Sequence, residues 1–275
     1  ALTPHPTDDA RTVAQKILFR ATADGALNNR DNTPIAELIA NDPNKIALDR
    51  HIPHAALVAT QVKYLQRARR KLPDYYEARA IIPAIAYEQS SSLLSASTKV
   101  ESGALCIDLT CGLGVDSLAL SKQFERVITV EIDPIRAEVA RINFARLGAT
   151  NIEVVCSSAE EFVAGFEGKA DLIYADPDRR TAEGRRVVRL EDCSPNMIAL
   201  WPAIKRVSQR VAIKNSPLFD VEEAFRLFGH CGVEVLSLAG EWGVDALRIT
   251  AIALVGNGIG SWMINASNFT LKQNN

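Results

Sequence analysis

Residues 105–134 read LCIDLTCGLGVDSLALSKQFERVITVEIDP. Leu105, Cys106 and Ile107 form a short apolar run of the kind that makes a buried parallel strand. Asp108 closes the run, and Gly112 and Gly114 follow in the pattern D-x-x-x-G-x-G. Glycines are needed where backbone turns sharply or approaches a ligand without a Cβ in the way. Val115, Leu118 and Ala119 give residues 115–122 a helical apolar spacing, and 126–130 read as the next strand, ended by Glu131. An acid about 20 residues beyond a glycine loop, at the tip of the second strand, suits the hydroxyls of a ribose; Glu131 lies 19 residues after Gly112.

The loop narrows the ligand. A dinucleotide fingerprint has a third glycine, where this chain has Ser117, and Asp116 adds negative charge beside the helix N-terminus. Asp108 and Asp116 suit a cationic ligand better than a pyrophosphate. S-adenosylmethionine (SAM) carries a sulfonium and an ammonium. On these residues the stretch resembles the class I SAM-dependent methyltransferases, with Asp108, Gly112 and Gly114 as the glycine-loop motif and Glu131 as the ribose acid. The resemblance covers about 101–256 and implies a SAM pocket that also takes in Thr110, Asp116 and Ile132. The plain alternative for the loop is a tight strand–helix turn of any doubly wound fold.

Composition sets the outer bounds. The 275 residues are 47% hydrophobic and 23% charged, an ordinary soluble globular makeup with room for one large or two modest domains. No apolar run approaches the ~20 residues of a membrane span. The opening ALTPHPTDDA lacks the basic and apolar regions of a secretory signal. Five cysteines (106, 111, 156, 193, 231) without CxxC spacing read as reduced thiols, neither disulfides nor zinc ligands. Together these point to the cytoplasm. Net charge is −2, yet residues 1–100 carry 13 Lys/Arg against 10 Asp/Glu, while the remainder carries 18 against 23.

Residues 1–97 are expected to form a small helical domain. Helices are predicted at 12–22, at 35–40 behind Thr33-Pro34, at 54–72, from 74, and at 84–95 after Pro83, with a turn at 41–44. Lys63, Arg67, Arg70 and Lys71 share a face of the 54–72 helix; a solvated face is the plain reading, a phosphate-contacting surface the sharper one. His51-x-x-His54 reads as a local polar pair. No metal site is expected. The segment YEQSSSLLSA (87–96) resembles one that lines the SAM pocket in several methyltransferases, which makes Gln89, Ser91 and Ser92 candidates.

Residues 98–256 are predicted to be a seven-stranded Rossmann-like sheet of the class I type. Asp133-Pro134 opens a helix that stops at Gly148. Strands follow at 152–156, 172–175, 211–214, 233–238 and 247–255, the last antiparallel, with a helix at 221–228. Many class I methyltransferases place an acid on the adenine amino group just after the third strand. Ser158 stands there, so Ser158, the Ala159 backbone or Glu160 inherits the contact. Residues 257–275 read as a loose polar tail.

Asp176-Pro177-Asp178-Arg179-Arg180 follows the fourth strand, whose carboxyl end faces the ligand crevice of such a sheet. It resembles the [DN]-P-P-[FYW] signature of amino-group methyltransferases, in which the first residue and its neighbouring backbone accept hydrogen bonds from the target amine. Asp178 replaces the second proline and Arg179 the aromatic residue; a guanidinium plane can still stack on a base. With Ser194-Pro195 and Lys214-x-Ser216-Pro217, the pattern resembles class I methyltransferases that carry a THUMP-like domain, an RNA-binding module, and also the trimethylguanosine synthases. Such a domain is not expected within these 275 residues. Five arginines between 179 and 189 face a single acid, which suits an anionic substrate entering there.

The expectation is therefore a SAM-dependent methyltransferase of an RNA base, tRNA or rRNA, with guanine N2 as the target. Asp176, Pro177, Asp178 and Arg179 would carry catalysis. Arg179, Arg180, Arg185, Arg186 and Lys214 would hold substrate. A small anionic metabolite is the alternative substrate, and an inactive SAM- or RNA-binding module the alternative class. A nicotinamide dehydrogenase is disfavoured by Ser117 and by the absence of a Tyr-x-x-x-Lys. Oligomeric state is not legible.

Overall fold

A computed structural model of the chain describes residues 38–52, 55–97, 101–179, 187, 189–215, 219–228, 231–238, 244–252 and 264–269. The expected helix at 12–22, most of that at 35–40, His54, and Arg180, Arg185, Arg186, Ser216 and Pro217 lie outside these residues.

Among the described residues, five helices precede the sheet: α1 (Pro43–Leu48), α2 (Ala55–Lys71), α3 (Pro73–Glu77), α4 (Ala84–Gln89) and α5 (Leu93–Ser97). Of the turn expected at 41–44, Asn41 and Asp42 keep it and Pro43 and Asn44 start α1. Asp42 accepts from the Asn44 N–H and Pro43 takes the first helical position, where its missing N–H costs nothing. Pro73 does the same for α3. The helix expected over 84–95 is broken at Ser90–Ser92. Ser90 Oγ donates to the Tyr87 carbonyl and Ser92 Oγ accepts from the Ser95 N–H, side-chain bonds that compete with helix continuation.

The alternation that follows is β1 (Gly103–Asp108), α6 (Val115–Leu120), β2 (Phe124–Glu131), α7 (Pro134–Arg146), β3 (Ile152–Cys156), α8 (Ala159–Gly165), β4 (Leu172–Ala175), α9 (Met197–Val207), β5 (Arg210–Asn215), α10 (Val221–Phe228), β6 (Cys231–Leu238), β7 (Val244–Ile252) and β8 (Ile264–Phe269). The sheet order is β3-β2-β1-β4-β5-β7-β6-β8. Its parallel core has five strands, β3-β2-β1-β4-β5, and β7 joins β5 antiparallel. Among the described residues, the expected seven strands thus become a five-stranded parallel core inside an eight-stranded sheet. Ile264–Phe269 lies in the stretch read as a loose tail; it pairs in parallel with β6, and its polar Asn265, Ser267 and Asn268 hid the strand.

Chain order reverses between β1 and β4, so a crevice opens beyond their carboxyl ends. Alternating residues of β1 feed opposite faces: Ile107 packs with Val130, Ile173 and Met197, and Cys106 with Leu120, Phe124 and Leu172. The helices before the sheet share a core with its loop. Tyr64, Leu65, Leu72 and Tyr75 pack in one cluster with Leu113, Val115, Leu118 and Phe144. Asn143 of α7 both donates to the Ile81 carbonyl and accepts from the Ile81 N–H. Among the described residues, no helix is long and apolar enough to cross a membrane.

Candidate active site

The site is built on the tips of β1, β2, β4 and β5. The Asp108 carboxylate is fully buried and accepts from the Thr110 N–H (2.9 Å), the Thr110 hydroxyl (3.2 Å) and the Ser117 hydroxyl (2.6 Å). Burial pushes its pKa up to about 6 against the pull of those hydrogen bonds, and Asp116 pushes the same way. Asp108 therefore spends its acceptors on the loop itself and fixes its shape.

The two glycines do different work. Gly112 has φ +55 and open space where a Cβ would stand, which leaves a cradle beside the backbone. Gly114 has φ +85, and a Cβ there would lie 2.5 Å from the ring of buried Phe144. One glycine keeps room for a ligand; the other lets α7 pack. Tyr75 of α3 is buried and donates from its hydroxyl to the Leu113 carbonyl at 3.0 Å, so the loop is held from the helical side too.

Glu131 is nearly buried. Oε2 accepts from the Gly112 N–H and Oε1 from the Asp133 N–H, each at 3.0 Å, and Arg136 Nη2 lies 3.0 Å from Oε1. A carboxylate has about four lone-pair positions, so one remains for a ribose hydroxyl. Ile132, next along, is 64% exposed and offers an apolar face at the rim. The Ser158 hydroxyl accepts from the Glu161 N–H as the cap of α8, and Ala159 is buried. The open cradle at Gly112, the nearly filled Glu131 and the bare Ile132 together fit a ribose carrying an aromatic base.

At the β4 tip, the Asp176 N–H donates to the Thr110 hydroxyl at 2.7 Å, so Thr110 bolts the β1 tip to the β4 tip. Asp176 Oδ2 lies 2.6 Å from Lys214 Nζ of β5, with side chains 18% and 14% exposed. Lys214 Nζ also donates to Ser91 Oγ (2.7 Å), and Ser91 Oγ donates to Asp116 Oδ2 (2.7 Å). Pro177 is buried. Asp178 is exposed, is pinned by reciprocal backbone bonds with Ser194, and receives a 3.4 Å contact from Gln89 Nε2. Arg179 is half-buried.

The structure thus gathers Gln89, Ser91, Asp116, Asp176, Asp178 and Lys214. The Ser92 hydroxyl accepts from the Ser95 N–H at the start of α5. Lys214, expected to hold substrate, is engaged with Asp176 and Ser91. The arginine run contributes Arg179 alone to the described site; Arg189 is exposed and lies 3.4 Å from Glu191. Tyr75 and Arg136 were missed. Tyr75 gives no local signal. Arg136 gives a weak one, because a cation in the first turn of a helix opposes the macrodipole and needs a partner such as Glu131. Along α2, Arg67 pairs with Glu88 and lies over the Tyr64 and Tyr87 rings, while Lys71 donates to the Tyr87 carbonyl. Burial lowers the Lys71 pKa to about 8.

Comparison with known proteins adds a class to this geometry. Residues 92–175 match the family described as tRNA (Uracil-5-)-methyltransferase. An uncharacterized S-adenosylmethionine-dependent methyltransferase of Mycobacterium tuberculosis is 34% identical over 158 residues, 57% of this chain and 41% of the relative. A tRNA/tmRNA (uracil-C(5))-methyltransferase of Photobacterium profundum is 30% identical over 139 residues, 42% of this chain and 37% of that protein. The chain spans about two fifths of the length of these curated relatives. A crystal structure of a candidate methyltransferase from Porphyromonas gingivalis W83 superposes with a TM-score of 0.71 at 27% identity, over 87% of this chain and 61% of that one. The fold is that of a class I methyltransferase. The matches speak for that class and not specifically for its THUMP-like or trimethylguanosine-synthase members.

Proposed function

We propose that the chain is a SAM-dependent methyltransferase whose acceptor is a base of RNA. The observation that carries the reading is the juxtaposition at the sheet's carboxyl edge. A glycine loop open at Gly112 and a carboxylate at Glu131 stand beside a second carboxylate, Asp176, fixed by Thr110 and Lys214. RNA as substrate draws support from the matched family and from relatives named for tRNA and tmRNA.

SAM, when bound, supplies an electrophilic methyl group on a sulfonium. The chain's part is to bind, to orient and to shield. Glu131 and the Gly112 backbone hold the ribose, Ile132 covers the base, and Asp116 offers negative charge to the methionine end. Asp176 Oδ2 is taken by Lys214, so Oδ1 is the oxygen that receives a hydrogen bond from the acceptor and aims it at the methyl carbon. Positioning of this kind supplies much of the rate.

The relatives' names point to uracil C5 as the methylated atom, and guanine N2 finds no support in them. A base amino nitrogen remains a second reading because of where the thiols lie. Uracil C5 becomes nucleophilic once a group adds at C6, and a thiolate is the usual choice. Cys106 and Cys111 are buried, Cys156 ends β3 and Cys231 begins β6. Cys193, beside Ser194, is the thiol near Asp178; burial pushes its pKa up to about 11, and its Sγ donates to the Arg189 carbonyl at 3.3 Å. Such a thiol is a reluctant nucleophile, whereas Asp176-Pro177 suits an amine directly.

The test is methyl transfer from isotopically labelled SAM to total tRNA and rRNA, followed by mass spectrometry of the nucleosides. 5-Methyluridine supports the first reading and an N-methylated base the second. Label in neither RNA, from protein shown to bind SAM, would overturn the RNA assignment.

A further inference from the structure

Lys214 stands between the cofactor loop and the acceptor carboxylate. Its Nζ stands 2.6 Å from Asp176 Oδ2 and 2.7 Å from Ser91 Oγ, and Ser91 Oγ donates onward to Asp116 at 2.7 Å. An ammonium has three donor positions, of which two are taken by these partners. With its side chain 14% exposed, little of it is left to reach a phosphate. Asp116 and Asp176 act on it attractively, while Arg179 opposes; Lys71 of α2 is close enough to feel its charge. Burial works against the ammonium, and the two carboxylates outweigh it and hold the charge in place.

We propose that Lys214 is a positioning and specificity-determining residue: it neutralises Asp176 inside the cofactor pocket and so sets how strongly the chain prefers positively charged SAM over its demethylated product S-adenosylhomocysteine (SAH). The inference rests on the SAM reading above. SAM and SAH share their ribose, base and amino-acid groups and differ by the methyl and the sulfonium charge. A pocket whose carboxylates are uncompensated favours the cation; an ammonium on Asp176 reduces that preference. In a part-buried site, unit charges several ångströms apart interact strongly enough to matter. Lys214 thereby limits the preference for SAM, at some loss of SAM affinity, and keeps Asp176 fixed for the acceptor.

Calorimetric titration with SAM and with SAH tests this on the wild type and on Lys214→Met, Lys214→Gln and Lys214→Arg. The Gln variant keeps a donor toward Asp176 and Ser91, so it serves if the Met variant does not fold. Both neutral variants should raise the ratio of SAM to SAH affinity about tenfold, equal to about 1.4 kcal/mol. Arg, which restores the charge, should leave it within about twofold of wild type. A purely structural role would move both affinities together and leave the ratio unchanged, so an unchanged ratio in a folded neutral variant overturns the proposal. Wild-type protein that binds neither ligand would bring down the SAM reading itself, and this inference with it.

Discussion

The cofactor side and the acceptor side of the crevice are built in opposite ways. On the cofactor side, Asp108, Ser117 and Glu131 are buried and close hydrogen bonds among residues at most 19 apart in the chain. On the acceptor side, the ties join Ser91 to Lys214 and Gln89 to Asp178, 123 and 89 residues apart. The first is a local motif that carries its own geometry. The second exists only once helices, loop and sheet have come together. It follows that a substitution on the cofactor side should act through loop shape and stability, and one on the acceptor side through turnover and, at the Asp176–Lys214 pair, through the choice between SAM and SAH.

The largest expected effect lies on the acceptor side. Asp176→Ala should lower methyl transfer a hundredfold or more, as removal of one aimed charged group does elsewhere, while affinity for uncharged SAH stays within about threefold and SAM weakens only about tenfold, because Lys214 is left uncompensated. Labelled-methyl assays paired with calorimetry measure both. A matching loss of SAM affinity would merge the two sides into one.

Next come the two glycines, which separate ligand space from packing space. Gly114→Ala puts a Cβ into the Phe144 ring from a left-handed backbone, and should cost about 3 kcal/mol in a denaturant melt. Gly112→Ala meets no atom within 4 Å. It should cost about 1 kcal/mol of stability yet weaken SAM about tenfold or more by filling the cradle. Equal stability losses would mean that the cradle is part of the packing.

A pH experiment sharpens the same contrast at Asp108. Its pKa is about 6 in the fold against 3.8 for the free group, so the folded state binds the proton more tightly. Stability from this group is full below pH ~4, falls as pH rises to about 6, and is level above, a change on the order of 3 kcal/mol. Asp108→Asn should flatten that part of the stability–pH curve. A slope that survives the substitution would place its source elsewhere.

The smallest effect is at Ser158, whose hydroxyl caps α8. Ser158→Ala should cost about 1 kcal/mol of stability and leave SAM affinity within about twofold. A larger loss of affinity would return that hydroxyl to the adenine contact expected from the sequence.

What the sequence disclosed follows the same division. Strand 172–175 was readable because a buried parallel strand is a short apolar run, the half-buried edge strand 152–156 because of its Ile and Val, and the glycine loop because its spacing is fixed by the ligand. The β8 strand was not, since INASNF has no apolar run and its partner β6 lies 26 residues or more back in sequence. Gln89 and Ser91 were reached through resemblance alone. Lys214 was picked out through the Lys-x-Ser-Pro resemblance, which said nothing of its partner; only the register of β5 on β4, Ile213 beside Ala175, brings it to Asp176. Tyr75, a buried tyrosine holding the Leu113 carbonyl from a separate helix, left no mark in the sequence at all.

The most direct measurement is calorimetric titration of the wild-type chain with SAM and with Gly112→Ala as its control. One site per chain for SAM, weakened about tenfold or more in the variant, is the predicted result. A wild type that binds neither SAM nor SAH, or a variant that binds SAM as well as the wild type does, would contradict the assignment of the glycine loop as the cofactor cradle.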